Sequence, residues 1–254
     1  MFSNAVKKIS KFTRPILFVL RHNSDKLIPG SATLFFINEQ GYALTCKHVV
    51  NNIINVANKS NKAIFRFNGC YKKINDINII IHPIYDLAII KFNGTEPLYS
   101  DYAYFSKTNE VDPGKFLLRS GYAFPEFNNY KIDIQTDKLI FTNNGNQNTP
   151  LFSNEGMVTR LVSSDNKITG IELSTPGIRG TSGGPLYDKD GIVYGIQSLT
   201  KHYHLGFDIE DDNVFINGEY KTVSNHPYIS LGQCISLNII KEFLNEHKIK
   251  YYEK

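Results

Sequence analysis

The stretch "RGTSGGPLYDKDGIVYGIQS", residues 179–198, gathers Gly180, Gly183, Gly184 and Pro185 around one serine, Ser182, just ahead of two short apolar runs. A solvated loop does not need that order. A serine carried on a tight turn does, because glycine reaches backbone angles other residues avoid and lets another group approach closely. A serine hydroxyl is a weak nucleophile at neutral pH and needs an adjacent base. The pattern therefore implies a base and an orienting acid elsewhere in the chain.

Histidine suits the role of base because its unperturbed pKa lies near 6.5. The seven candidates are His22, His48, His82, His202, His204, His226 and His247, and only His48 closes a strand signal, in "GYALTCKHVV". A strand end is a rigid platform, whereas His202, His204 and His226 fall in a looser late stretch. The acid must fix the imidazole tautomer and stabilise its cation. Asp86 stands immediately before the apolar run of "YDLAIIKF". A carboxylate entering a core there needs a partner, since an unpaired buried charge is costly, and His48 is a natural one.

Composition excludes several other classes. At 254 residues, with 41% hydrophobic and 20% charged residues, the chain can bury a core and is not expected to be disordered. The net charge of +4 comes from scattered lysines without a basic stripe, so nucleic acid is not an expected partner. Cys46, Cys70 and Cys234 are odd in number and far apart, forming neither a disulfide framework nor a CxxC metal knuckle. Reduced thiols fit a cytoplasmic protein. The run Ile16–Leu20, between Pro15 and Arg21, is too short for a signal-peptide core, and no segment approaches a membrane span. Phe2, Val6, Ile9 and Phe12 are spaced for one face of a short basic helix. That helix is either a packed N-terminal arm or a membrane-surface anchor.

Many short β-branched and aromatic runs, separated by Gly, Asn, Asp and Pro, point to an antiparallel sandwich or barrel. A C-terminal helix follows from the stripe Ile239, Ile240, Phe243 and Leu244. Residues 200–228 read as a long strand-poor loop, a type of segment that tends to be functional or mobile.

Together, "GYALTCKHVV", "DLAII", "GYAFP" and "GTSGGP" followed by "DGIVYGIQS" resemble the chymotrypsin-like serine proteases. The likeness is nearest to the bacterial, disulfide-free branch that includes the HtrA protease domains. His, Asp and Ser also come in that family's order. The resemblance implies an all-β, trypsin-like fold of two antiparallel six-stranded barrels, with a short N-terminal and a C-terminal helix. The divisions are an arm over 1–13, a first barrel over 14–110 carrying His48 and Asp86, a second over 111–236 carrying Ser182, and a helix and tail over 237–254. By carry-over Ser182 is the nucleophile, His48 the general base and then acid, and Asp86 its orienting partner. The backbone N–H groups of Gly180 and Ser182 form the oxyanion hole, Ser198 hydrogen-bonds the acid, and Ser198, Leu199 and Thr200 pair with the substrate backbone. No metal and no cofactor are implied, and the partner is a protein or peptide substrate.

The departures matter too. Thr181 stands where secreted trypsins carry an activating aspartate, so activation by N-terminal processing is not expected. Pro176 occupies the position of the acidic residue that selects Lys or Arg, and Gln197 that of the histidine in glutamate- and glutamine-selective relatives. Arg179, at the pocket rim, either favours an acidic substrate residue or is simply solvated. "DIEDD", residues 208–212, likewise either receives a basic substrate or is solvated. The chain leaves no room for a PDZ module after residue 250, which points to narrow specificity or an activating or regulatory protein partner. Two other readings stay open: an inactive trypsin-fold module that grips extended peptides, and an esterase-type acyl hydrolase.

Overall fold

The computed structural model describes residues 2–21, 27–60, 63–67, 70–73, 77–93, 100–124, 130–133, 138–141 and 150–254. The chain opens with helix α1 (Ser3–Phe12), which runs directly into strand β1 (Thr13–Arg21). Ala5, Ile9 and Phe12 share one face of α1 and are buried, while Lys7, Lys8 and Lys11 are exposed. Pro15 cannot continue the helix, and the Thr13 hydroxyl donates to the Ile9 carbonyl at its end (2.8 Å). The apolar face of α1 is thus covered by the protein's own core, as a packed arm requires.

The first half continues through β2 (Leu27–Phe36), β3 (Tyr42–Thr45), helix α2 (Lys47–Ser60), β4 (Ala63–Phe67), β5 (Cys70–Lys73), β6 (Ile77–Ile81) and β7 (Ala88–Phe92). Its strands form one antiparallel sheet in the order β5-β4-β1-β2-β3-β7-β6. Helix α2 departs from the sequence expectation of a strand running into His48. Val49, Val50 and Ile53 are buried on its inner face. β-branched residues fit a strand as well as a buried helix face, so the local signal alone does not separate them.

The second half contains β8 (Tyr104–Phe105), β9 (Phe116–Gly121), β10 (Tyr130–Asp133), β11 (Lys138–Phe141), β12 (Phe152–Ser164), β13 (Lys167–Leu173) and β14 (Pro185–Tyr187). Then come β15 (Ile192–His204), β16 (Ile209–Ile216), β17 (Glu219–Asn225), β18 (Tyr228–Ser236), helix α3 (Leu237–Glu246) and β19 (Tyr252–Glu253). The main sheet runs β14-β9-β12-β13-β18-β15-β8-β19, and β14 also pairs with β15. The fold is mostly β and trypsin-like, and among the described residues no closed barrel forms in place of the expected pair of six-stranded ones. The described strands make sheets of seven and eight, with two further two-stranded sheets, β10-β11 and β16-β17. The short strands β8 and β19 add in parallel beyond β15, a pairing set by the C-terminal segment folding back after α3.

Residues 200–228 also differ from expectation. β15 and β18 pair as far as His204 and Tyr228, and β16 and β17 close a hairpin between them. Its turn residues, Asn217 and Gly218, both have positive φ (52° and 87°), as a two-residue type I′ turn requires.

One core cluster joins the two halves. Phe35, Phe36, Ile89 and Phe92 of the first sheet, Tyr187, Val193 and Ile196 of the second, Ile9 of α1 and Phe243 of α3 all belong to it. Each such side chain contributes roughly 1.5–3 kcal/mol on burial, so the halves are pressed together along the seam where the site lies.

Candidate active site

His48 lies in the first turn of α2, delivered there by β3 through the buried residues Thr45 and Cys46. Lys47 anchors the same turn by donating to the carbonyls of His82 and Pro83 (3.0 and 2.9 Å). His82 in turn accepts the N–H groups of Ile84 and Tyr85 on Nδ1 (3.1 and 3.0 Å), shaping the bend that carries Asp86. Burial lowers the His82 pKa, consistent with an uncharged acceptor. This histidine is a scaffold for the acid, a role its sequence neighbourhood did not disclose.

Asp86 is held from three directions. Its Oδ1 accepts the backbone N–H of His48 (2.9 Å), satisfying one of the amides a helix start leaves without a partner. Its Oδ2 faces His48 Nδ1 at 2.8 Å and accepts the Ser198 hydroxyl at 2.5 Å. Burial acts to raise the carboxyl's pKa, but the hydrogen bonds from His48 and Ser198 outweigh it and hold the group below its ordinary value. An ionised carboxylate only accepts. The proton of a neutral His48 therefore sits on Nδ1, which leaves Nε2 free to take one.

Ser182 sits between β13 and β14 on a turn stitched from both sides. Thr181 and Gly184 close it locally, with N–H bonds to Ile178 (3.0 Å) and Thr181 (2.9 Å). Gly183 and Gln197 bind it to β15 through Gly183 N–H to Gln197 and Gln197 N–H to Gly184, each 2.8 Å. From the first sheet, Thr33 donates its N–H to the Ser182 carbonyl (2.9 Å). The Thr33 hydroxyl donates to the Gly180 carbonyl and accepts the Tyr122 N–H, both 2.9 Å. Thr33 is fully buried, and it joins the serine turn to the opposite half of the molecule. Gly183 answers the question its sequence raised: its φ is +87°, and a Cβ there would collide with the Thr33 carbonyl oxygen.

Two amides of the turn stand apart. Among the described residues nothing accepts the N–H of Gly180 or of Ser182, although Thr181, Gly183 and Gly184 all donate. The carbonyl of Arg179 accepts the Phe124 N–H (2.9 Å). Because the peptide bonds are trans, the N–H of Gly180 points away from that carbonyl. Two N–H groups without acceptors, one residue apart in the chain, can hold a negatively charged oxygen where both face it.

The other expected residues fall as follows. Ser198 is buried, its hydroxyl spent on Asp86 and its carbonyl accepting the Ser182 hydroxyl at 3.2 Å. Leu199 is 40% exposed, beside a register shift in the β15–β18 pairing. Thr200 donates to the Gly177 carbonyl (3.0 Å). Along Gln197–His204 the described residues place a partner, β18, on one edge of β15. Arg179 is exposed.

Among the described residues, two groups have metal-like donor spacing, with ligand atoms within 4.8 Å of one another: Cys46, His48 and Asp86, and His204, Asp208 and His226. In the first, burial pushes the Cys46 thiol well above its usual pKa, and its S–H is directed at the Gln197 carbonyl (3.1 Å). A metal would need the thiolate. In the second, Gly206 N–H donates to His204 Nδ1 (3.1 Å), so the ring proton lies on Nε2, aimed at Asp208 (2.7 Å).

The profile of the trypsin-like peptidase domain matches residues 31–196 of the chain. No curated protein matches it. Among solved structures, an HtrA-type protease determined with a tripeptide superposes with a TM-score of 0.60 at 14% sequence identity. The match covers 97% of this chain and 63% of that one.

Proposed function

Since the chain belongs to the family of trypsin-like peptidase domains, serine protease hydrolases, we propose that it is an endopeptidase working through His48, Asp86 and Ser182. His48 Nε2 takes the Ser182 proton as Oγ attacks the scissile carbonyl, and returns it to the leaving amine. Asp86 holds the ring and stabilises its cation. The N–H groups of Gly180 and Ser182 receive the oxyanion, and the edge of β15 over Ser198–Thr200 that faces no strand among the described residues pairs with the substrate backbone. The observation that carries the reading is the pair of acceptor-free amides beside a serine whose base is already oriented. The HtrA-type relative's tripeptide adds support for an extended peptide ligand.

Ser182 donates to Ser198 rather than to His48. This favours a resting site that a substrate or a regulatory protein partner completes. The free, buried thiols of Cys46 and Cys234 support a cytoplasmic site of action. Among the described residues no helix is long and apolar enough to cross a membrane.

A fluorophosphonate probe followed by intact mass measurement tests the proposal. One adduct is expected on the wild type and none on Ser182→Ala. An adduct on both proteins would remove Ser182 from the mechanism, and no adduct on either would mark the site as latent or inactive. Ester turnover without peptide turnover would favour an acyl hydrolase.

A further inference from the structure

Beyond Thr200, strand β15 has an edge that the proposed mechanism does not use. Gly232 stands opposite Thr200 but donates its N–H to the Thr175 carbonyl (2.8 Å), on the β13 side of β18. Opposed residues of an antiparallel pair either bond each other or both face outward. Thr200 therefore turns its N–H and C=O away from β18, and by the two-residue period of a strand so do His202 and His204. Leu205 keeps the alternation, donating its N–H inward to the Pro227 carbonyl (2.9 Å). Strands β14 and β8 pair with β15 only as far as Ile196, so among the described residues no strand lies on this edge from Ser198 to His204.

The edge leads onto the hairpin of β16 and β17. Asp208 Oδ1 faces His204 Nε2 and His226 Nδ1, both at 2.7 Å, and so ties the hairpin to the end of the β15–β18 ribbon. The hairpin is a sheet of two with no third strand among the described residues. Every residue of its strands is exposed except Val214 and Val223, which are half-buried. Phe215 and Tyr220 stand opposite each other, 64% and 77% exposed, with ring centroids 5.1 Å apart. Phe207 and Ile209 are exposed on the same segment. Two strands alone are marginally stable in water, and exposed apolar side chains gathered in one place mark a binding surface. Charge names the kind of partner. Asp208, Glu210, Asp211, Asp212 and Glu219 against Lys221 give residues 205–227 a charge of −4 in a chain of +4. Among the described residues Glu210, Asp211, Asp212 and Glu219 have no ion-pair partner. Two copies meeting hairpin to hairpin would set these carboxylates against one another, whereas a basic, apolar segment complements both features.

We infer that the β15 edge over His202–His204 and the hairpin beyond it form a docking surface for the part of the substrate upstream of the cleaved bond, and that this surface selects a basic, apolar-rich extended segment. The inference rests on the proposed hydrolysis. With the acyl residue against Ser198, an antiparallel substrate strand sets the residue two positions upstream against Thr200, four upstream against His202 and six upstream against His204. The chain before that runs onto the hairpin.

Peptides sharing one alanine- and valine-based core carry an upstream extension alternating Lys with Phe, Glu with Phe, or Lys with Ser, or no extension. They are titrated calorimetrically against the Ser182→Ala variant at low and high salt. The Lys and Phe extension is expected to bind roughly tenfold or more tighter than the bare core, with the gain shrinking as salt rises. No gain over the core, or an equal gain from Glu and Phe, overturns the inference. N-methylation four positions upstream, where the N–H meets the His202 carbonyl, is expected to cost roughly tenfold, and three positions upstream little. Equal losses at the two positions would rule out the edge pairing and overturn the inference. Combining Glu210→Gln, Asp211→Asn and Asp212→Asn should abolish the preference for Lys over Glu while fluorophosphonate labelling keeps the wild-type rate. A preference that survives these changes overturns the inference. So would wild-type dimers in sedimentation that Phe215→Ser with Tyr220→Ser dissolves, since a second copy would then cover the hairpin. Selective binding without a fluorophosphonate adduct would uphold the docking surface while refuting hydrolysis. An adduct with no dependence on the upstream segment would do the reverse.

Discussion

The hydroxyl of Ser198 and the ring of His48 share one oxygen, Oδ2 of Asp86, at 2.5 and 2.8 Å. Ser198 comes from β15 in the second half of the fold, and His48 and Asp86 from the first. The carboxylate is thus where the two halves agree on the position of the imidazole.

Ser198→Ala removes one of the three donors to that carboxylate and leaves the β15 backbone in place. The expected cost is about tenfold in kcat/KM, or roughly 1.4 kcal/mol of transition-state stabilisation. KM should be nearly unchanged, and the circular dichroism spectrum native. Peptide kinetics on the purified variant check it. An unaltered kcat would mean that His48 and its backbone amide hold Asp86 unaided.

The lowered pKa of Asp86 links stability to pH. A carboxyl held low in the folded state stabilises the fold above its unfolded value of about 3.9. That contribution fades as pH falls through the folded value. Urea midpoints between pH 6 and pH 2 should therefore fall less steeply for Asp86→Asn than for the wild type. Parallel curves would show that other carboxyls govern the acid limb.

Thr33→Val keeps the shape of the side chain but strands the Gly180 carbonyl and the Tyr122 N–H, both otherwise paired with its hydroxyl. Leaving buried polar groups unsatisfied costs about 1–3 kcal/mol each, so the melting temperature should drop by several degrees. Because the lost bonds support the serine turn, fluorophosphonate labelling should slow as well. A lower melting temperature with an unchanged labelling rate would confine Thr33 to stability.

Gly183→Ala places a Cβ on a left-handed residue and into the Thr33 carbonyl oxygen. The backbone term alone is about 1–2 kcal/mol, and the collision adds to it. The variant should lose labelling even where calorimetry still finds a folded domain, since the turn can accept the Cβ only by moving Ser182.

The three side chains of the proposed triad were legible because each sits in a short segment whose local pattern is unusual. Ser182 lies among glycines, Asp86 at the mouth of an apolar run, and His48 behind another. The hairpin of β16 and β17 was also written locally, in Asn217–Gly218 between extended runs, but its charged, exposed flanks lack the apolar alternation that marks a half-buried strand. Helix α2 was hidden because Val49, Val50 and Ile53 suit either periodicity.

What the sequence by itself determined, then, is the chemistry available: a serine on a tight turn, an imidazole, an acid, and enough β-forming runs to carry them. Only the tertiary structure decided what meets what. Thr33 reaches Gly180 across 147 positions of chain, Ser198 reaches Asp86 across 112, and Arg119 reaches Gln197 across 78. A threonine or arginine in a strand looks the same whether it is solvated or holds a turn from the opposite sheet. Its role is set by long-range packing, which brings buried polar groups together because each is costly to leave alone.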